Sequence, residues 1–136
     1  MNTSYPIFAA RILLSLIFVL AGFSKLTGLE GTAGYIASKG LPMPAVLALG
    51  SGLLELLAGL AIAVGFKARI AAAVLAAFTL VASLLFHNFW AMPADQVMVN
   101  QLMFMKNLAI IGGLLLIFAH GAGPASVDTR RLAPAT

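Results

Sequence analysis

The run from Ile70 to Ala94, IAAAVLAAFTLVASLLFHNFWAMPA, passes 25 residues without a lysine, arginine, aspartate or glutamate. A helix needs about 20 predominantly apolar residues to cross hydrocarbon, so this stretch is long enough to span a bilayer. Its apolar positions are continuous rather than alternating, which excludes the strands of a membrane barrel. Working outward, three further stretches have the same character, and the spans fall at about residues 7–27, 43–65, 69–89 and 98–119. Pro6 suits a first helical turn, Leu41-Pro-Met-Pro44 opens the second span, and Met92-Pro93 breaks the chain before the fourth. Gly65 closes the second span, and Gly121 with Gly123-Pro124 closes the fourth. The expected fold is an all-α polytopic membrane protein, an antiparallel four-transmembrane-helix bundle. It forms a single domain over residues 1–121, followed by a flexible cytoplasmic tail over 122–136.

Composition agrees. Of 136 residues, 62% are hydrophobic and 9% charged, against about 25% charged in a soluble domain. Eight basic and four acidic side chains cannot cover a water-soluble globule of this size. The lipid bilayer is therefore the first partner. There is no cysteine, which excludes disulfides and thiolate chemistry. The net charge of +4 is scattered, with no basic run longer than Arg130-Arg131, so no nucleic-acid partner is indicated.

The basic residues act instead as topology signals. An even span count puts both termini on one side, which collects Arg11, Lys67, Arg69, Arg130 and Arg131. Positive residues mark the cytoplasmic face, so both termini are expected inside. Trp90, Phe89 and Tyr35 then form an outer aromatic belt and Tyr5 an inner one. The first helix reads as a span rather than a cleavable signal. Its start is poor in charge, and Lys25 lies where a small-residue cleavage site belongs.

Ionisable groups inside spans are costly unless they face a bundle interior, so they are the informative residues. At 100° per residue, Arg11, Ser15, Phe18, Gly22 and Lys25 share one face of the first span. Glu55 sits among Ala48, Ser51, Gly52, Ala58 and Gly59 on the second, with Leu49, Leu53, Leu57 and Leu60 opposite. Small residues permit close helix approach in lipid, while leucines face the acyl chains. Arg69, Ala73, Ala76, Leu80, Ser83 and His87 line up on the third span. Asn100, Met103, Lys106, Asn107 and Ile110 share an arc of the fourth. The candidate polar seam is Arg11, Lys25, Glu55, His87, Lys106 and Asn107. It reads either as glue between helices or as a proton, ion or small-molecule site in the outer half of the bundle. Counting about 1.5 Å per residue from the outer helix ends puts Glu55 about 18 Å deep and Lys106 about 12 Å deep. Glu55 is therefore expected to pair with Lys106, directly or through Asn107, with Arg11 as second choice. Lys25 is expected to snorkel outward and Arg11 inward. His87 is expected to be a wetted interfacial side chain.

No catalytic residues and no metal site are read from the sequence. There is no phosphate-cradling glycine motif, no His pair at i, i+4, and no Ser-His-Asp set at one depth. A faint internal echo exists: Ala10-Arg11-Ile12 recurs as Ala68-Arg69-Ile70, and Gly52-Leu53-Leu54 as Gly113-Leu114-Leu115. Two helical hairpins in the same orientation would produce it.

The stretch Arg11-Ile-Leu-Leu-Ser-Leu-Ile-Phe-Val-Leu-Ala-Gly-Phe-Ser-Lys25-Leu resembles the opening of the DoxX family of small bacterial four-helix membrane proteins. The resemblance continues through Leu41-Pro42, Gly52-Leu-Leu-Glu55, Gly59, Gly65, Arg69, His87 and Lys106-Asn107-Leu-Ala-Ile-Ile-Gly-Gly113. It implies a bacterial inner-membrane bundle and, for some members, association with thiosulfate or thiol oxidation delivering electrons to quinone. No cofactor is evident from the residues themselves; a quinone is implied by the resemblance alone. Three functional classes follow. The first is a membrane subunit or scaffold of a redox or stress-response complex, with a redox partner protein. The second is a small-molecule or ion transporter or channel acting as a homo-oligomer. The third is a quinone- or lipid-binding subunit of an oxidoreductase.

The charge asymmetry makes a topology prediction. A reporter fused after Thr136 should be active in its cytoplasmic form only. Periplasmic activity from a stable fusion would overturn the assignment.

Overall fold

The computed structural model describes residues 4–132. The chain forms α1 (Ser4–Thr27), α2 (Leu29–Ser38), α3 (Pro44–Val64) and α4 (Ala68–Phe86). A short 3-10 turn at Phe89–Ala91 leads into α5 (Ala94–His120) and then α6 (Val127–Leu132). Among the described residues there is no strand, and four helices (α1, α3, α4 and α5) are long and apolar enough to cross a membrane.

Local chemistry sets the helix limits. Pro44 opens α3, its missing N–H falling where a helix has no use for one. Gly65 ends α3 in the left-handed region at φ 70°, and the Phe66 N–H closes back onto the Ala61 carbonyl at 2.8 Å. That geometry satisfies the carbonyls of the last turn and costs a glycine little.

The spans pair as two hairpins. α1 packs along α3 and α4 along α5, while α1 scarcely touches α5. The α1–α3 seam is closed by glycines: a Cβ on Gly22 would stand 2.5 Å from the Leu56 nitrogen and 2.7 Å from the Gly52 carbonyl oxygen. Backbone approach of this kind is the usual source of helix affinity in lipid, where no hydrophobic effect operates between spans. Phe18, Ile62, Leu75 and Leu114 fill the centre together with Ala71, Ala72 and Ala76. The leucines expected to face lipid, Leu49, Leu53, Leu57 and Leu60, are all exposed.

Three features depart from the expectations. The connection between the first two spans contains α2, whose opening Leu-Glu-Gly-Thr-Ala-Gly carries two glycines and a threonine, weak helix formers. Tertiary packing holds it: Ile36 is buried and Tyr35 stacks on Phe86 at 5.4 Å between ring centroids. The buried face of α4 is rotated from the predicted arc, running through Ala68, Ala72, Ala76, Thr79 and Ser83, with Arg69 and Leu80 exposed. Small side chains fix that face because they allow the nearest approach of neighbouring helices.

The third departure is the segment after residue 121, which is docked through residue 132 rather than free. Asp128 accepts from the Lys67 and Ala68 N–H groups at 2.8 and 2.9 Å, capping the start of α4 from a distant part of the chain. The Asp128 N–H in turn donates to the Gly65 carbonyl at 2.8 Å. Helix-start donors with no partner inside the helix supply the driving force. The remainder of the expected tail, residues 133–136, lies outside the described residues.

The glycine seam predicts a contrast. Gly22→Ala should destabilise the protein by about 1–3 kcal/mol, since backbone must move to admit the methyl group. Gly31→Ala and Gly112→Ala meet nothing within 4 Å and should be neutral or stabilising by up to about 1 kcal/mol through helix propensity. Thermal unfolding in one detergent measures all three, and equal effects would refute the close approach.

Candidate functional site

Glu55, 6% exposed, pairs with Lys25 in the only ion pair among the described residues. The partner is not the expected Lys106, and Lys25 does not run outward. Two features of the helices explain the difference. Lys25 lies beside Gly52, where a Cβ would stand 3.2 Å from the Lys25 Cβ. That places Lys25 one turn nearer the loop end than Glu55, about 12 Å from the start of α3 along its axis. The earlier depth count assumed helix ends at one level, whereas α3 continues about 9 Å past the end of α1. Side chains also tilt toward their own helix N-terminus. In antiparallel helices this turns Lys25 inward and Glu55 outward, so the two converge.

Arg11 behaves as expected in direction, though not in destination. It leans toward the terminal end and stays buried there, 2% exposed. Its Nε donates to the Ala63 carbonyl at 3.2 Å, in the last turn of α3. Its two Nη groups donate to the carbonyls of Ala122, Pro124 and Ala125. Carbonyls at helix ends carry the negative end of the helix dipole, and the planar guanidinium fork can reach several at once. Arg69 does the same on the other hairpin, donating to Phe118 and Ala119 at 2.8 and 2.7 Å.

Of the six seam residues, five come together. Lys25, Glu55, His87, Lys106 and Asn107 all line one cavity of about 500 Å³, in the half of the bundle away from the termini; Arg11 does not. The volume lies within the range of small-molecule sites, and most of its wall is apolar, including Phe18, Phe78, Leu85 and Ile110. His87 Nδ1 lies 3.0 Å from Asn100 Oδ1, whose amide nitrogen donates to the Gln96 carbonyl. With Oδ1 as acceptor, Nδ1 of a neutral His87 carries the proton. Asn107 donates to the Ser83 hydroxyl at 2.9 Å. Lys106 has no hydrogen bond or ion pair among the described residues.

Sequence reading missed Thr32 and Thr79 and took Tyr35 only for the outer aromatic belt; α2 brings Thr32 and Tyr35 to the same cavity, which Thr79 also lines. The stripe Leu29, Thr32, Ala33 and Ile36, at helical spacing, was the available signal for α2. The Thr79 hydroxyl is buried without a hydrogen-bond partner among the described residues. A second cavity of about 530 Å³ lies between α1 and α5 at the terminal end, and its charged lining residue, Arg11, is already engaged. Among the described residues no three His, Asp or Glu side chains gather as a metal site would require.

Fold and site together define a four-span helical membrane protein with a largely apolar cavity that carries an ion pair and a second lysine. The chain belongs to the DoxX family, whose model matches residues 7–88, more than half its length. It is 39% identical over 121 residues to the inner membrane protein YphA of Escherichia coli, covering 89% of this chain and 86% of the relative. It is 43% identical over 125 residues to the inner membrane protein YqjF of the same organism, covering 90% and 88%. A more distant likeness, 28% over 127 residues, is to the ER-derived vesicles protein ERV29 of Saccharomyces cerevisiae, covering 93% of this chain and 34% of that one. No solved structure matches the chain.

The ion pair predicts a coupling. Glu55→Gln and Lys25→Met should each destabilise by about 1–3 kcal/mol, since each leaves a charge in a low-dielectric setting. The double variant should lose less than the sum. Glu55→Gln with Lys106→Met should be additive. A thermal double-mutant cycle that couples Glu55 to Lys106 instead would refute the pairing.

Proposed function

We propose that this DoxX-family inner-membrane protein is the ligand-holding membrane component of a redox complex, with both termini in the cytoplasm and the cavity in the periplasmic half. The ligand is amphipathic and enters from the lipid phase. Its apolar body lies against Phe18, Phe78, Leu85 and Ile110, and its hydrogen-bond-accepting head meets the lysine ammonium groups. Quinones belong to this class, since their carbonyl oxygens accept hydrogen bonds and their ring and tail are apolar.

The single observation that carries the reading is the cavity itself. A space of about 500 Å³ is bounded by apolar side chains and gathers five of the six seam residues. The rest of the bundle favours holding over passage. Ile62, Leu75 and Leu114 are fully buried across its centre, and Arg11 with its carbonyls occupies the terminal end. A continuous polar path, as a transporter needs, would have to cross that layer. The chain's own residues bind and orient; redox chemistry belongs to a partner protein, and to the ligand where that is a quinone.

Filling the cavity provides the test. Purified protein in nonionic detergent should bind decylubiquinone saturably. Ala82→Phe, which places a ring in the cavity, should weaken binding at least tenfold while leaving the unfolding temperature within a few degrees. Absence of saturable binding, or equal affinity in the variant, would refute the reading.

A further inference from the structure

We infer that, among the amphipathic molecules the cavity can hold, it prefers those whose head bears a single negative charge, and that Lys106 is their counter-ion. The inference rests on the cavity being a ligand site and narrows the class of ligand.

The charged groups on the cavity wall are Lys25, Glu55 and Lys106, joined by the titratable His87 and Tyr35. Glu55 is taken by Lys25. One positive charge is left over, on Lys106, with no partner among the described residues. Lys106, exposed at the surface of the bundle, lies twelve residues into α5, about 18 Å from its start and about 12 Å inside the span that opens near residue 98. An uncompensated lysine at that depth is costly in hydrocarbon. Reaching an interface from there demands far more of the side chain than it does near a helix end. An anion in the cavity removes that cost through a charge-assisted hydrogen bond.

A second observation points the same way. The Thr79 hydroxyl, on a residue 5% exposed that lines the same cavity, lacks any hydrogen-bond partner among the described residues. Buried hydroxyls are ordinarily satisfied, and in a helix the carbonyl one turn back is the usual acceptor. Ser83 on the same helix does use that acceptor, donating to the Thr79 carbonyl at 2.6 Å. Rotation about the Thr79 Cα–Cβ bond would turn that hydroxyl, closed off as it stands, toward an acceptor on an anionic head. The carbon chain then occupies the apolar remainder of the cavity. A carboxylate on a long-chain acid and the phosphodiester of an anionic phospholipid share this chemistry.

Native mass spectrometry of the intact protein in nonionic detergent separates the possibilities. The probes are dodecanoate against its methyl ester, and phosphatidylglycerol against phosphatidylcholine. Wild type should retain one or both anionic members at least tenfold better than the neutral partner. Preference for dodecanoate alone identifies a free acid; preference for phosphatidylglycerol identifies a lipid. Lys106→Gln should bring the ratio to within about twofold, with an unfolding temperature no lower than wild type. Lys106→Arg should keep the preference. Equal retention of charged and neutral probes by wild type, or a preference that survives Lys106→Gln, would overturn the charge assignment while leaving the cavity reading standing. Failure of every probe to bind, decylubiquinone included, would remove both.

Discussion

A charge placed in hydrocarbon has to be neutralised locally or carried to the surface, and the architecture of this protein follows from how its few charges meet that demand. Arg11 meets it with a last-turn carbonyl of α3 and carbonyls of residues 122–125, and Arg69 with last-turn carbonyls of α5. Glu55 and Lys25 meet it with each other. The first solution orders the segment beyond α5, because three of the carbonyls serving Arg11 belong to residues 122–125. The second requires α1 and α3 to lie close, which the glycines at 22, 52 and 59 permit. Charge compensation and backbone approach are therefore one constraint seen from two sides.

The cavity is a consequence of the same packing. α1 stops short of the start of α3, α2 packs against the exposed length of α3, and α5 leans on α4 rather than on α1. The Tyr35–Phe86 stack and the buried Ile36 brace α2 at the edge of this space. A ligand site between helices that are each satisfied elsewhere is largely preformed, which lowers the ordering cost of binding.

The two hairpins repeat a device as well as a few residues. In α1–α3, Arg11 donates to a last-turn carbonyl of α3; in α4–α5, Arg69 donates to last-turn carbonyls of α5. The recurrence of Ala-Arg-Ile at 10–12 and 68–70 thus has a structural counterpart. The hairpins part company in their seams. Glycines close the first, whereas α4 presents mainly alanines, and α5 keeps Leu114 as its one fully buried residue.

How much was legible in the sequence depends on the range of the interaction involved. Span number, helix class and the inward faces of α1 and α3 follow from residue order alone, because a helix's period and its exclusion of polar groups from lipid are local properties. Thus Arg11, Ser15, Phe18 and Gly22 are buried together, as their spacing requires. The partner of Glu55 was not legible. It depends on the axial offset of α1 against α3, which glycine contacts between residues 30 or more apart set. Helix α2 and the docked residues after 121 were hidden for the same reason. Their glycines favour loop, which masked the helical stripe of α2, and the Phe86 ring, the uncapped start of α4 and the guanidinium of Arg11 hold these segments in order. Lys106 shows both halves: the sequence placed a lysine inside a span, and the tertiary structure left it without a partner at a cavity wall, because every other charge there had found a nearer one.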